Sequence, residues 1–166
     1  MKGRIHPDAN VVQKIYETYG WACSEIQPES ESTEYGAATF RLNNKKIIFR
    51  VAKRTPTKTG QFVTIWKRNP EGITTPFDAA DAFDFIVIFV RNGEQTGQFV
   101  FSKKVLTENR IISAGKNTGK RGIRVYAPWD RTENKQAQQT QTWQLAHFIV
   151  HGKSERNRLE ILFQDR

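Results

Sequence analysis

The chain has 166 residues, 37% hydrophobic and 26% charged, a length and mixture that suit one globular domain with its own core and exclude a disordered chain. Lys and Arg outnumber Asp and Glu by 26 to 17, for a formal net charge of +9, so the expected partners are nucleic acid, an anionic membrane surface or an acidic protein. A single cysteine, Cys23, excludes an internal disulfide and a multi-cysteine zinc site, and no apolar run reaches the roughly 18 residues of a membrane-spanning helix.

Taken in chain order, Pro7 and Asp8 are expected to open a helix with Asp8 as N-cap. Val12, Ile15, Tyr16 and Tyr19 follow at helical spacing, and Gly20 ends it. Residues 27–34, QPESESTE, read as an acidic loop. Ala37 to Leu42 alternates as a strand with Ala38, Phe40 and Leu42 on one face. Asn43-Asn44 suits a hairpin turn because Asn tolerates positive φ. Ile47 to Lys53 and Phe62 to Lys67 are the next two strands, separated by the loop TPTKTG.

Pro70 to Asp81 reads as irregular. Phe83 to Val90 is apolar throughout and reads as a central strand, returning through Asn92-Gly93 to Gly97–Phe101. Ser102 caps a helical turn, Lys116 to Gly122 is a basic loop, and Gly122 to Tyr126 is a short strand. Asn134 to Val150 fits a helix with Trp143, Leu145 and Phe148 among its apolar residues, and the residues beyond it carry no clear signal. The expected fold is a single α+β domain over residues 1–166 with a central mixed sheet and flanking helices. No apolar signal core opens the sequence, so a bacterial-type cytoplasmic location is expected.

Charge is sorted along this order. Residues 41–68 carry nine Lys or Arg and no acid; residues 110–131 carry six cations and one acid. In the first block Arg50, Lys53, Arg54, Lys58, Lys67 and Arg68 are threaded through strand-like apolar residues. If alternation holds, Lys53 and Lys67 close the apolar faces of adjacent strands and converge on one anionic group, against the plainer reading of an edge strand guarded by lysine. The hydroxyls of TPTKTG, the Lys58 ammonium and the amides near Gly60 suit a phosphate. The second block places Lys120, Arg121 and Arg124 beside Tyr126 and Trp129, the pairing of cations for phosphates with rings for unpaired bases. Glu25, Glu34, Asp78, Asp81 and Asp84 are candidate Mg²⁺ ligands, although turn and capping chemistry is the favoured account of Asp78 and Asp81. His147 and His151, four apart, could share a helix face but lack the intervening Glu of a zinc protease.

Several blocks resemble the MepB-like family of small bacterial proteins: Ser32 with Glu34–Ala37, FRVAKRTPTKTGQFVTIWKR at 49–68, PFDAADAFDF at 76–85, GQFVFSKKVL at 97–106, GKRGIRVYAPW at 119–129 and QAQQTQTWQ at 136–144. A looser resemblance links the strand order to the restriction-endonuclease-like superfamily, whose metal site pairs a strand carboxylate with a D/E-x-K tripeptide. The matching tripeptide here is Val51-Ala52-Lys53, with Val51 where the second carboxylate should stand. The resemblance implies an endonuclease-like scaffold and leaves hydrolysis in doubt.

The leading expectation is therefore a DNA-binding protein that needs no cofactor. Arg50, Lys53, Lys58, Lys67, Arg68, Lys120, Arg121 and Arg124 would meet phosphates, and Gln61, Trp66 and Trp129 bases or sugars. Neutralising about six phosphates would give a log–log salt slope near −5 on duplex DNA. The alternatives are an Mg²⁺-dependent nuclease using Glu34, Asp84 and Lys53, and an interaction module for an acidic protein.

Overall fold

A computed structural model of the chain describes residues 3–152 and 155–164. In chain order these form α1 (Pro7–Thr18), β1 (Gln27–Pro28), a 3₁₀ turn (Thr33–Tyr35), β2 (Ala38–Leu42), β3 (Lys45–Val51), β4 (Lys53–Arg54), β5 (Gln61–Thr64), β6 (Trp66–Arg68) and β7 (Thr74–Pro76). Then come β8 (Phe85–Asn92), β9 (Gln95–Ser102), α2 (Lys103–Glu108), β10 (Gly122–Val125), α3 (Lys135–Leu145), β11 (Phe148–Val150) and α4 (Glu155–Gln164). None of the described helices is long and apolar enough to cross a membrane.

The main sheet has six strands in the order β1-β2-β3-β8-β9-β11. It is mixed because β3 and β8 run parallel, Ile47 opposite Phe85 and Val51 opposite Phe89, while its other pairs are antiparallel. Both faces are covered. One packs Val12 and Tyr16 of α1 and Leu159 and Phe163 of α4 against Phe40, Phe49 and Val87. The other packs Ile48, Ile86 and Phe101 against Val63, Ile123 and Val125. Burial on both sides is why β8 is apolar without alternation. By contrast β2 alternates as expected, with Ala38, Phe40 and Leu42 buried and Arg41 exposed. Asn43 and Asn44 both take positive φ, 48° and 73°, as a two-residue hairpin turn requires.

Four expectations need correction. The N-cap of α1 is His6, whose Nδ1 accepts the Asp8 amide at 3.0 Å. Pro7 at the first helical position draws Asp8 inside the helix, where its carboxylate meets Arg91 Nη2 at 2.6 Å. The supposed third strand, Phe62–Lys67, breaks at Ile65. Its first half, β5, joins a three-stranded sheet ordered β10-β5-β4; its second half, β6, pairs with β7 inside the stretch read as irregular. The Ile65 amide is taken at the break by the Arg121 carbonyl at 2.9 Å. Residues 27–34 contain β1 and the start of the 3₁₀ turn rather than loop alone.

The last correction concerns Asn134 to Val150. The helix stops at Leu145, and β11 adds to the sheet edge beside β9. Phe148 lies over the bare backbone of Gly97, where a Cβ would come within 2.3 Å of its ring, and its ring centroid is 4.6 Å from that of Phe99. That contact outweighs the helical pattern. His147 and His151 therefore flank a strand instead of sharing a helix face. Tyr16 Oη donates to Gln98 Oε1 at 2.5 Å, the Gln98 amide nitrogen meets His151 Nε2 at 2.9 Å, and His151 Nδ1 meets Thr96 Oγ1 at 2.8 Å. With Nε2 accepting from the amide, Nδ1–H is the donor to Thr96 and the ring is neutral. Burial pulls the His151 pKa down from 6.5 to about 4.

Candidate nucleic-acid interface

A groove of about 670 Å³ opens between the three-stranded sheet and α3. Its floor begins with β5 and β10, paired with Phe62 opposite Arg124 and Val63 opposite Ile123. Gly122 permits this floor: a Cβ there would lie 2.4 Å from the Phe62 ring. One wall is the 55–60 loop, which forms a ridge. Gly60 sits at φ +81° with the Tyr126 ring 2.7 Å from where a Cβ would be, so the turn needs glycine both for its backbone and for the close approach. Arg124 donates to the Thr59 carbonyl at 3.3 Å and to the Thr55 hydroxyl, tying the ridge to β10.

The opposite wall is α3, started by Asn134, whose side chain accepts the Ala137 amide. Amides attach this helix where an apolar stripe is missing. Gln144, 1% exposed, donates to the Arg124 carbonyl at 2.9 Å and accepts from the Tyr126 amide at 2.8 Å. Gln141 donates to the carbonyls of Ala127 and Asp130, each at 2.9 Å. The unpaired edge of the chain around β10 is thereby satisfied by side chains.

Lys58, Lys120 and Arg124 line the groove with the rings of Phe62, Tyr126 and Trp143, and Glu133 is the acid among its lining residues. Lys58 and Lys120 are exposed and form no ion pair among the described residues. Positive charge above aromatic rings in a concave surface can hold phosphates while presenting faces to bases.

The other residues singled out from the sequence are dispersed. Arg50 is 3% exposed, donates to the carbonyls of Thr64 at 3.2 Å and Phe49 at 2.9 Å, and lies 5.8 Å from the Phe77 ring centre. It ties β3 to β5, and burial lowers its pKa to about 10. Gln61 is 4% exposed and donates to the Arg91 carbonyl at 2.9 Å. Neither side chain is at the surface to meet a strand, which corrects the expectation for both. Lys53, on β4, lies 5.6 Å from the Tyr35 ring centre, while Lys67, on β6, is 2.5 Å from Asp81 Oδ1. They belong to separate sheets and do not share one anionic group. Arg68 pairs with Glu31 at 2.5 Å and lies 5.5 Å from the Trp66 ring centre. Arg121 donates to the Thr74 carbonyl at 3.2 and 3.1 Å. Trp129 is half-buried with its ring centre 5.9 Å from that of Phe148.

The three residues proposed for hydrolysis are not assembled. Asp84 Oδ2 accepts the Lys46 amide at 2.8 Å, which fixes Asp84 at the start of β3. Lys53 lies seven residues further along that run, about 20 Å away at the rise of a strand. Glu34 is exposed on the 3₁₀ turn at the Lys53 end. Val51 is 7% exposed and packs in the core under α1; a Cβ on Gly36 would come within 2.8 Å of it. Among the described residues no group of three or more His, Cys, Asp or Glu side chains is placed to hold a metal ion.

The helix of this wall was expected from the sequence, but its place beside the groove was not. Its signal was the glutamine-rich run QAQQTQTWQ, whose amides serve as backbone partners, a role hydrophobic periodicity does not register.

The model of the MepB-like family matches residues 29–150. The crystal structure of MepB is similar at a TM-score of 0.78 and 30% sequence identity, covering 90% of this chain and 99% of that one. A bacterial homing endonuclease, I-Ssp6803I, is similar at a TM-score of 0.47 and 18% identity, covering 87% of this chain and 89% of that one. No curated protein sequence matches.

Proposed function

This chain belongs to the MepB-like family, and we propose that it is a nucleic-acid-binding protein, with DNA the expected partner, that takes the strand in the groove between the 55–60 ridge and α3. The observation that carries this reading is the pair of cations, Lys58 and Lys120, that have no ion-pair partner among the described residues and line a groove together with Phe62, Tyr126 and Trp143. Phosphates would meet the cations, and bases the exposed parts of these half-buried rings. A cytoplasmic location accords with such a partner. Hydrolysis by Glu34, Asp84 and Lys53 is no part of the proposal, because Asp84 lies at the far end of β3 from Lys53.

With Arg50 and Gln61 inside and Lys67 and Arg68 in ion pairs, the interface is smaller than the sequence implied. Three groove cations predict a log–log salt slope of about −3 on duplex DNA and about −2 on single strands. Fluorescence anisotropy of labelled DNA across a salt series measures this. A flat salt dependence sinks the proposal. Retention of a cellular protein after complete nuclease digestion, with no DNA bound, would replace it with the acidic-partner reading.

A further inference from the structure

Behind the ridge lies a second cleft of about 410 Å³, lined by Arg54, Asn92, Trp129, Asp130 and Arg131. Thr57, Lys58 and Thr59 line both this cleft and the groove, so the two hollows meet along one narrow wall with a lysine on it. The ridge is held from below by Arg124, by Gly60 against Tyr126 and by Gln61 against the Arg91 carbonyl. It is preorganised, and a strand crossing it would not have to order it.

The second cleft is cationic. Arg131 is exposed and has no hydrogen bond or ion pair among the described residues, and Arg54 donates to the Asn92 side chain. Asp130 is the opposing charge. Its Oδ2 accepts the Ala127 amide at 2.8 Å, Arg54 and Arg124 act on it electrostatically, and burial raises its pKa. Trp129 supplies a half-buried ring beside these groups.

We infer that a strand seated in the groove continues over Lys58 into this second cleft, where Arg54 and Arg131 take its next phosphates and Trp129 faces a base. The inference rests on the nucleic-acid reading of the groove and extends it to a path with two stations. A strand that fills the groove alone gains nothing from Arg131; a longer one does. Charges met in sequence by one polymer add their phosphate contacts to a single salt dependence.

The test compares labelled oligothymidines of about 3 and about 16 nucleotides, a span bracketing common single-strand site sizes, on the full chain and on Arg131→Ala and Lys120→Ala. Arg131 has no hydrogen bond or ion pair to lose among the described residues, so that variant is expected to fold, as circular dichroism checks. Lys120→Ala is expected to weaken both lengths. Arg131→Ala is expected to leave the short strand unchanged, weaken the long one about fivefold and make its salt slope shallower by about 0.7. If Lys120→Ala weakens both lengths and Arg131→Ala changes neither, the groove reading stands and the second station is lost. An Arg131 effect of equal size on the short strand makes the cleft an independent anion site and overturns the path. If neither variant matters, the groove reading fails and the path fails with it.

Discussion

On the α1 side of the main sheet, Tyr16, Gln98, His151 and Thr96 form a continuous chain of hydrogen bonds, and Asp8 meets Arg91. On the opposite side, past the second sheet, Lys58 and Lys120 stand in a groove with no protein partner among the described residues. The polar groups of the first region are consumed by the fold, and their chemistry appears only as stability. Those of the second add little to the fold and are left for a ligand. Perturbing the first should therefore change stability without touching binding, and perturbing the second should do the reverse.

The largest effect belongs to His151. An unfolded chain takes a proton on this histidine near 6.5, whereas the folded one holds it neutral down to about 4. Its contribution is fully present above 6.5 and is lost as pH falls toward 4, a loss of about 3 kcal/mol over that window. Urea unfolding at a series of pH values should show the decline, and His151→Gln should flatten it. DNA affinity of the folded protein at neutral pH should be the same in both. A variant that kept the full acid slope would mean the network does not hold the ring neutral.

Reversing both groove cations, Lys58→Glu with Lys120→Glu, should lower DNA affinity about a hundredfold, because two phosphate contacts become repulsions. The melting temperature should stay within about 2 °C of the parent, since exposed unpaired charges contribute little to folding. Loss of affinity accompanied by a large drop in stability would put these lysines in the same class as His151 and erase the contrast.

The strands beneath the first region were largely legible in the sequence; its polar network and much of the second region were not. Alternation in Ala38–Leu42 and the unbroken apolar run of β8 report burial directly, so the four central strands of the main sheet could be read, while its short edge strands β1 and β11 could not. The break at Ile65 could not, because it depends on Arg121 and β10 arriving from more than fifty residues away. The cations were visible as a count, but a count does not say which are spent. Arg50 looked like its neighbours in sequence and lies in the core; Lys67 found Asp81 and Arg68 found Glu31 across distances no local pattern encodes. Lys58, Lys120 and Arg124 were the predicted contacts brought together in the groove.

Gln144 is the exception that sharpens the contrast, a sealed polar group on the open side. Both ends of its amide serve β10 and the residue after it. Gln144→Ala leaves a half-buried carbonyl and a half-buried amide without their partner, costing about 2 kcal/mol. Since α3 forms one wall of the groove, affinity should fall along with stability in this variant. Chemical denaturation and anisotropy on the same preparation would separate the outcomes; a loss of binding with full stability would mean Gln144 meets the ligand itself.

The smallest effect is expected at Lys67, which the sequence placed beside Lys53 as a phosphate ligand. Its ammonium lies 2.5 Å from Asp81 Oδ1, with the two side chains 34% and 25% exposed. Asp81 is also anchored by the Asp78 amide at 2.8 Å and its carbonyl by Lys103 at 2.5 Å, so the acid keeps its place without Lys67. Lys67→Met preserves the stem and removes one half-exposed ion pair, worth no more than about 1 kcal/mol. DNA affinity and its salt slope should both match the parent, because this charge is already neutralised within the protein. A drop in affinity comparable to that of Lys120→Ala would mean the ion pair opens to the ligand, moving the interface from the groove to the β6–β7 corner.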